Sequence, residues 1–124
     1  EKGTAPLRAR IQAINTLLEK NYKVWLRFLP LLPLENYENL YSGLLEQVKS
    51  EIDMKKINSL FIASLIYNQG DFKQMQKKNP SSDLRNFIHL QENWLVKIPD
   101  QIFQTFVSLF EKHFPEKKIY FDFV

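Results

Sequence analysis

Apolar side chains recur at helical spacing along most of this 124-residue chain. The first series advances in steps of three or four residues and so stays on one face of a helix: Leu7, Ile11, Ile14, Leu18, Tyr22, Trp25 and Leu29. Thr4 and Pro6 suit the start of that helix, and Pro30, which lacks an amide hydrogen, suits its end. The spacing therefore predicts one long helix over residues 5–29.

The same criterion predicts four further helices, over residues 34–50, 54–69, 83–97 and 100–114. The helix over 54–69 carries apolar side chains around more than half of its circumference, so it is the predicted centre of the fold. Asp53 suits its start and Gly70 its end. Residues 71–82 are polar and predict a short helix or turn followed by a loop. Residues 115–124 predict an extended tail, where alternation from Ile119 favours one short strand with no partner in the chain.

One short segment resembles a known family. Residues 66–72, Ile-Tyr-Asn-Gln-Gly-Asp-Phe, resemble the turn between the two helices of a tetratricopeptide repeat. Met75 stands where that family has a small residue, and Pro80 interrupts the second helix of the roughly 34-residue unit.

The five predicted helices indicate an all-α fold in a single domain of residues 1–124. Its architecture is an antiparallel bundle of about five helices or a short helical-repeat stack of the tetratricopeptide or HEAT kind.

Composition excludes several classes of protein. The chain is 44% hydrophobic and 14% aromatic, which is too apolar for intrinsic disorder. It has no Cys, which excludes disulfides, thiol nucleophiles and thiolate zinc sites. The longest uncharged run, residues 57–70, is shorter than the roughly 20 apolar residues that span a bilayer. With no secretion signal at its start, the chain is expected to be a fragment of a larger intracellular protein, cytoplasmic or nuclear, with no membrane partner.

Chemical motifs are sparse. His89 and Glu92, like His113 and Glu116, have the spacing of two metal ligands on one helix face, but helical di-iron sites need the reverse order, Glu before His. Both histidines are therefore interpreted as surface side chains. Three glycines and no hydrolase or phosphate-loop motif favour a protein that is not an enzyme, with no catalytic residue, metal or cofactor.

Surplus aromatic residues favour a docking function instead. The predicted partner-binding residues lie in a groove between the helices over 83–97 and 100–114 and in the tail: Trp94, Phe103, Phe106, Phe110, Tyr120 and Phe121. The expected occupant is an apolar helix or peptide of another protein, or a second copy of the chain. The same aromatic residues would equally complete a small core, and the sequence leaves that choice open.

The alternative function is RNA or DNA binding by a helical module. Lys73, Lys77, Lys78 and Arg85 cluster after the helix over 54–69, and basic side chains near aromatic rings contact phosphates and stack on bases. The net charge of +3 is modest for a nucleic-acid-binding protein, so this function ranks second.

Overall fold

The computed structural model describes residues 3–82, 89–92 and 94–122 and shows a mixed α/β fold, so the predicted all-α bundle or helical-repeat stack is wrong. The described residues form four α-helices and six strands. Their bounds in chain order are α1 Leu7–Glu19, β1 Val24–Leu31, α2 Tyr37–Glu51, β2 Ile57–Ser64, β3 Tyr67–Asn68, α3 Gln69–Lys78, β4 Leu90–Glu92, β5 Leu95–Lys97, α4 Asp100–His113 and β6 Ile119–Asp122.

The long helix predicted over 5–29 is in fact two elements, α1 and β1. After α1, Asn21 adopts a left-handed backbone conformation with φ of 63°, and the chain turns into β1. Asn tolerates this conformation because its short polar side chain hydrogen-bonds locally. Within β1, Leu26 is buried and its neighbour Trp25 is exposed, which is the two-residue period of a strand.

The helix predicted over 54–69 is wrong: most of it is the strand β2, which belongs to a three-stranded parallel sheet. Its strand order is β1-β2-β6, with β2 in the middle. The expectation that the tail over 115–124 holds a strand without a partner is wrong, because β6 pairs with β2. Asp53 does act as a cap, but of a short 3-10 turn, where its side chain accepts a hydrogen bond from the Lys55 amide at 3.2 Å. Gly70 lies inside α3 and ends no helix.

Helices α1, α2 and α4 pack on one face of the parallel sheet, and α2 and α4 lie close to the helices expected over 34–50 and 100–114. The Phe28 ring of β1 lies 5.0 Å from the Phe110 ring of α4, centroid to centroid. Phe106 of α4 lies between Tyr37 and Tyr41 of α2, at 4.9 and 5.0 Å. Apolar burial of this kind is the main force that holds helices to a sheet.

The second sheet is antiparallel, with strand order β3-β5-β4. The helix predicted over 83–97 is wrong in its described part, which forms the β4–β5 hairpin; residues 83–88 lie outside the described residues. Phe72 of α3 packs on this sheet, with its ring 5.8 Å from Tyr67 and 5.0 Å from His89. Within the described ranges, no helix has the length and apolar character needed to cross a membrane.

Candidate functional site

The parallel sheet presents one face to the helices and leaves the other partly exposed. Residues directly opposite each other in a parallel ladder share a face, so the paired Leu26, Leu60 and Ile119 form one row on the helix side. We call the opposite surface the open face; it comprises Trp25, Arg27, Leu29, Ser59, Phe61, Ala63 and Tyr120.

The edges of the open face are strongly exposed for a sheet of this kind. Trp25 and Leu29 of β1 are 54% and 53% exposed, and Tyr120 of β6 is 46% exposed. All-parallel sheets are normally covered on both faces. The open face therefore has the character of a surface that a ligand or a further layer of protein covers.

Arg27, Phe61 and Tyr120 form a row across the middle of the open face, because Arg27 pairs with Phe61 and Phe61 pairs with Tyr120. The Arg27 guanidinium carbon lies 4.8 Å from the centroid of the Phe61 ring. The Lys118 ammonium lies 4.8 Å from the centroid of the Tyr120 ring. A hydrogen bond and then charge interaction with Tyr120 raise the pKa of Lys118 above its ordinary 10.5, so this group is cationic at neutral pH. The row and the adjacent Lys118 together combine two aromatic rings with two positive charges.

The carboxyl ends of the parallel strands meet at one edge of the sheet. The chain leaves β2 at Ser64 and enters β3 at Tyr67, so the second sheet begins at this edge. Asn68 starts α3 there, since its side-chain oxygen accepts a hydrogen bond from the Asp71 amide at 2.8 Å. In α/β folds with parallel strands, ligands bind beyond the carboxyl ends of the strands. The open face leads toward the place where that rule puts a site.

Three of the residues predicted to bind a partner are core residues. Phe103, Phe106 and Phe110 of α4 are 4%, 0% and 0% exposed. Their rings pack against the sheet and α2. The sequence left open whether these residues belong to the core or to an interface, and the structure places them in the core.

The other three predicted partner-binding residues lie on three different surfaces. Trp94 is 77% exposed at the turn of the β4–β5 hairpin. Tyr120 lies on the open face, whereas Phe121 lies on the helix side, with its ring 6.3 Å from that of Phe103. The predicted groove between two helices is absent from the described part of the chain, because its first helix is the β4–β5 hairpin.

The predicted nucleic-acid residues lie on α3 where they are described. Lys73, Lys77 and Lys78 are exposed, and the last two stand in the final turn of α3, where positive charge complements the helix dipole. Arg85 lies outside the described residues. These lysines belong to the layer of the second sheet and not to the open face.

The histidines have structural contacts. His113 Nδ1 lies 2.9 Å from Glu46 Oε1, which joins α4 to α2, and the His113 side chain is only 9% exposed, so its interpretation as a surface residue is wrong. Among residues 3–82, 89–92 and 94–122, no group of three His, Asp or Glu side chains is placed to hold a metal ion. A cavity of about 240 Å³ between α1, β1 and α2 is mainly apolar, with Ile11, Ile14 and Leu44 in its wall.

The helical spacing does not indicate three of the residues on the open face, namely Trp25, Arg27 and Phe61. Their signal is the strand period from Val24 to Phe28, in which apolar residues alternate with Trp25 and Arg27. An arginine in the middle of an otherwise apolar strand is the more specific indication, since strands of parallel sheets are mostly continuous apolar runs.

The chain matches no protein-family model and no curated protein. It is similar to solved structures of spore photoproduct lyase. A cysteine-to-alanine mutant of that enzyme gives a TM-score of 0.77 at 15% identity, over 98% of this chain and 40% of the lyase chain. The lyase complexed with dinucleoside spore photoproduct gives a TM-score of 0.74 at 16% identity, again over 98% and 40%. The chain thus spans about 40% of the length of these structures, and the likeness is one of fold.

The predicted non-catalytic docking function is therefore wrong. It depended on an all-α bundle with an aromatic groove, whereas the chain has a mixed α/β fold that is similar to part of spore photoproduct lyase. The alternative of a helical nucleic-acid-binding module is wrong in its fold for the same reason.

Proposed function

We propose that this chain is part of an enzyme that acts on nucleic-acid bases, and that its open face forms one wall of the substrate site. The observation that carries the proposal is the row of Arg27, Phe61 and Tyr120 across the open face of a parallel sheet. The likeness of fold to a lyase whose complex holds a dinucleoside photoproduct supports the choice of substrate.

The chemistry of the open face suits such a substrate. Every nucleobase has a flat aromatic face, and stacking on a protein ring contributes about 1–3 kcal/mol per base. Trp25 and Tyr120 are exposed aromatic residues on this face and are free of the tight ring pairs that hold Phe106 in the core. Positive charge from Lys118 beside Tyr120 suits a ligand that carries phosphate.

Tryptophan fluorescence tests the proposal on the 124-residue chain. The chain has two tryptophans, so Trp94→Phe leaves Trp25 as the single reporter on the open face. We expect the dinucleotide thymidylyl-thymidine to quench Trp25 emission saturably. Tyr120→Ala should weaken this binding at least fivefold, because a stacking surface is lost.

Tyr22→Ala is the matched control, since Tyr22 is 61% exposed in the turn between α1 and β1 and lies outside the open face. It should leave the affinity unchanged. A linear, unsaturable decrease in emission, or equal losses in the Tyr120 and Tyr22 variants, would refute a substrate site on the open face.

A further inference from the structure

We propose that Arg27 recognises the phosphate of the substrate that binds the open face. This inference rests on the proposed function and adds to it a residue that distinguishes a phosphate-bearing dinucleotide from a neutral nucleoside. It starts from the position of Arg27, at the middle of a strand whose neighbouring residues Leu26 and Phe28 face the core. A cation at such a position has no part in packing the helix side of the sheet.

The geometry of Arg27 keeps its hydrogen-bond donors available. The guanidinium carbon lies over the Phe61 ring, 4.8 Å from the ring centroid, which is a cation–π contact. The guanidinium has five N–H donors, and a contact with a ring pairs none of them with an oxygen acceptor. In the part of the chain that the structure describes, the partner of Arg27 is this ring and not a carboxylate. Arg27 is therefore a held but uncompensated cation.

Arginine in this state fits a phosphate. Two parallel N–H donors match two phosphate oxygens, and such charge-assisted pairs are about twice as strong as neutral hydrogen bonds. Trp25 precedes Arg27 by two residues on the same face, and Tyr120 lies across Phe61 in the same row. A phosphate at Arg27 would therefore have two exposed aromatic side chains near it, one along the strand and one across the sheet, for the two bases that it joins.

The test compares two probes, thymidylyl-thymidine, which has one phosphate, and thymidine, which has none. Both are titrated into the Trp94→Phe chain and into the same chain carrying Arg27→Gln. We expect Arg27→Gln to weaken dinucleotide binding about tenfold and to change thymidine binding less than twofold. Dinucleotide binding to the Arg27 protein should also weaken as salt rises, and the Gln variant should show a smaller salt dependence.

Arg27→Lys separates charge from geometry. The substitution keeps the positive charge and loses the planar arrangement of donors, so the dinucleotide affinity of this variant should lie between that of the parent chain and that of Arg27→Gln. Arg8→Gln is the matched control, because Arg8 is an exposed arginine of α1 on the helix side, and it should leave both affinities unchanged. Circular dichroism and thermal unfolding of each variant verify the fold.

The outcomes separate the two proposals. If the parent chain binds neither probe, the open face is no substrate site and both proposals are wrong. If it binds both probes and Arg27→Gln leaves the dinucleotide affinity intact, or weakens both probes equally, the proposed function stands and the role of Arg27 is refuted.

Discussion

Phe106 provides the sharpest test of the architecture. Its side chain is fully buried in α4, and its ring lies 4.9 Å from Tyr37 and 5.0 Å from Tyr41. Truncating a buried phenylalanine to alanine costs about 3–5 kcal/mol, because the transfer free energy is lost and a cavity remains. Two aromatic contacts are lost as well, so we expect Phe106→Ala to fall in the upper half of that range. This is a large fraction of the roughly 5–15 kcal/mol that stabilises a domain.

Urea denaturation followed by far-ultraviolet circular dichroism measures the effect. With an m-value of about 2 kcal/mol/M, a loss of about 4–5 kcal/mol should lower the midpoint by about 2–2.5 M. Trp94→Ala is the control: Trp94 is 77% exposed at a hairpin turn, so its midpoint should change by less than the equivalent of about 0.5 kcal/mol. Equal midpoints for Phe106→Ala and the parent chain, combined with an altered oligomeric state by light scattering, would show that Phe106 is an interface residue and not part of the core.

Two further variants test single hydrogen bonds. The Tyr41 hydroxyl accepts a bond from the Leu32 amide at 3.0 Å, so Tyr41→Phe should cost about 1–2 kcal/mol in urea unfolding. Burial raises the pKa of Tyr41 above 10.0, so the folded state holds the phenol proton more tightly than the unfolded state does. The resulting contribution to the free energy of unfolding is complete below pH 10 and declines above it. Tyr41→Phe should therefore flatten that decline when unfolding is measured from pH 8 to 11. Asn68→Ala removes the side chain that caps α3 at the Asp71 amide and should lower the free energy of unfolding by about 1 kcal/mol. Asn58→Ala, at an exposed position of β2, is the control. Faster amide hydrogen exchange across α3 in both variants would contradict the cap.

The helices α2 and α4 were accessible from sequence because each buries one stripe and exposes the other. The burial of Leu45 and Val48 in α2 and of Phe106 and Phe110 in α4 follows the three-to-four-residue spacing that identifies an amphipathic helix. Such a pattern has no competing strand interpretation, since alternation would place half of those side chains in water.

The spacing of apolar side chains does not predict the parallel strands. β2 is buried on most of both faces, as Ser59, Leu60, Ile62 and Ala63 show, and a short apolar run of this kind fits a buried helix equally well. β1 is misleading in a second way: Tyr22, Trp25 and Leu29 continue the helical steps of α1, although they are exposed and belong to a turn and to the open face. The break between them and α1 is the left-handed Asn21, whose conformation no apolar pattern records.

The candidate site was hidden for a different reason. Arg27, Phe61 and Tyr120 are far apart in sequence and become neighbours only through the register of three parallel strands. Each has an ordinary local interpretation, as a helix-surface cation, a core aromatic and a tail aromatic. Pairing β2 with both β1 and β6 converts the three into one row, and it places that row on the face that the helices leave exposed. A site of this kind follows from topology, so the order β1-β2-β6 had to be established before any of its residues could be assigned a role.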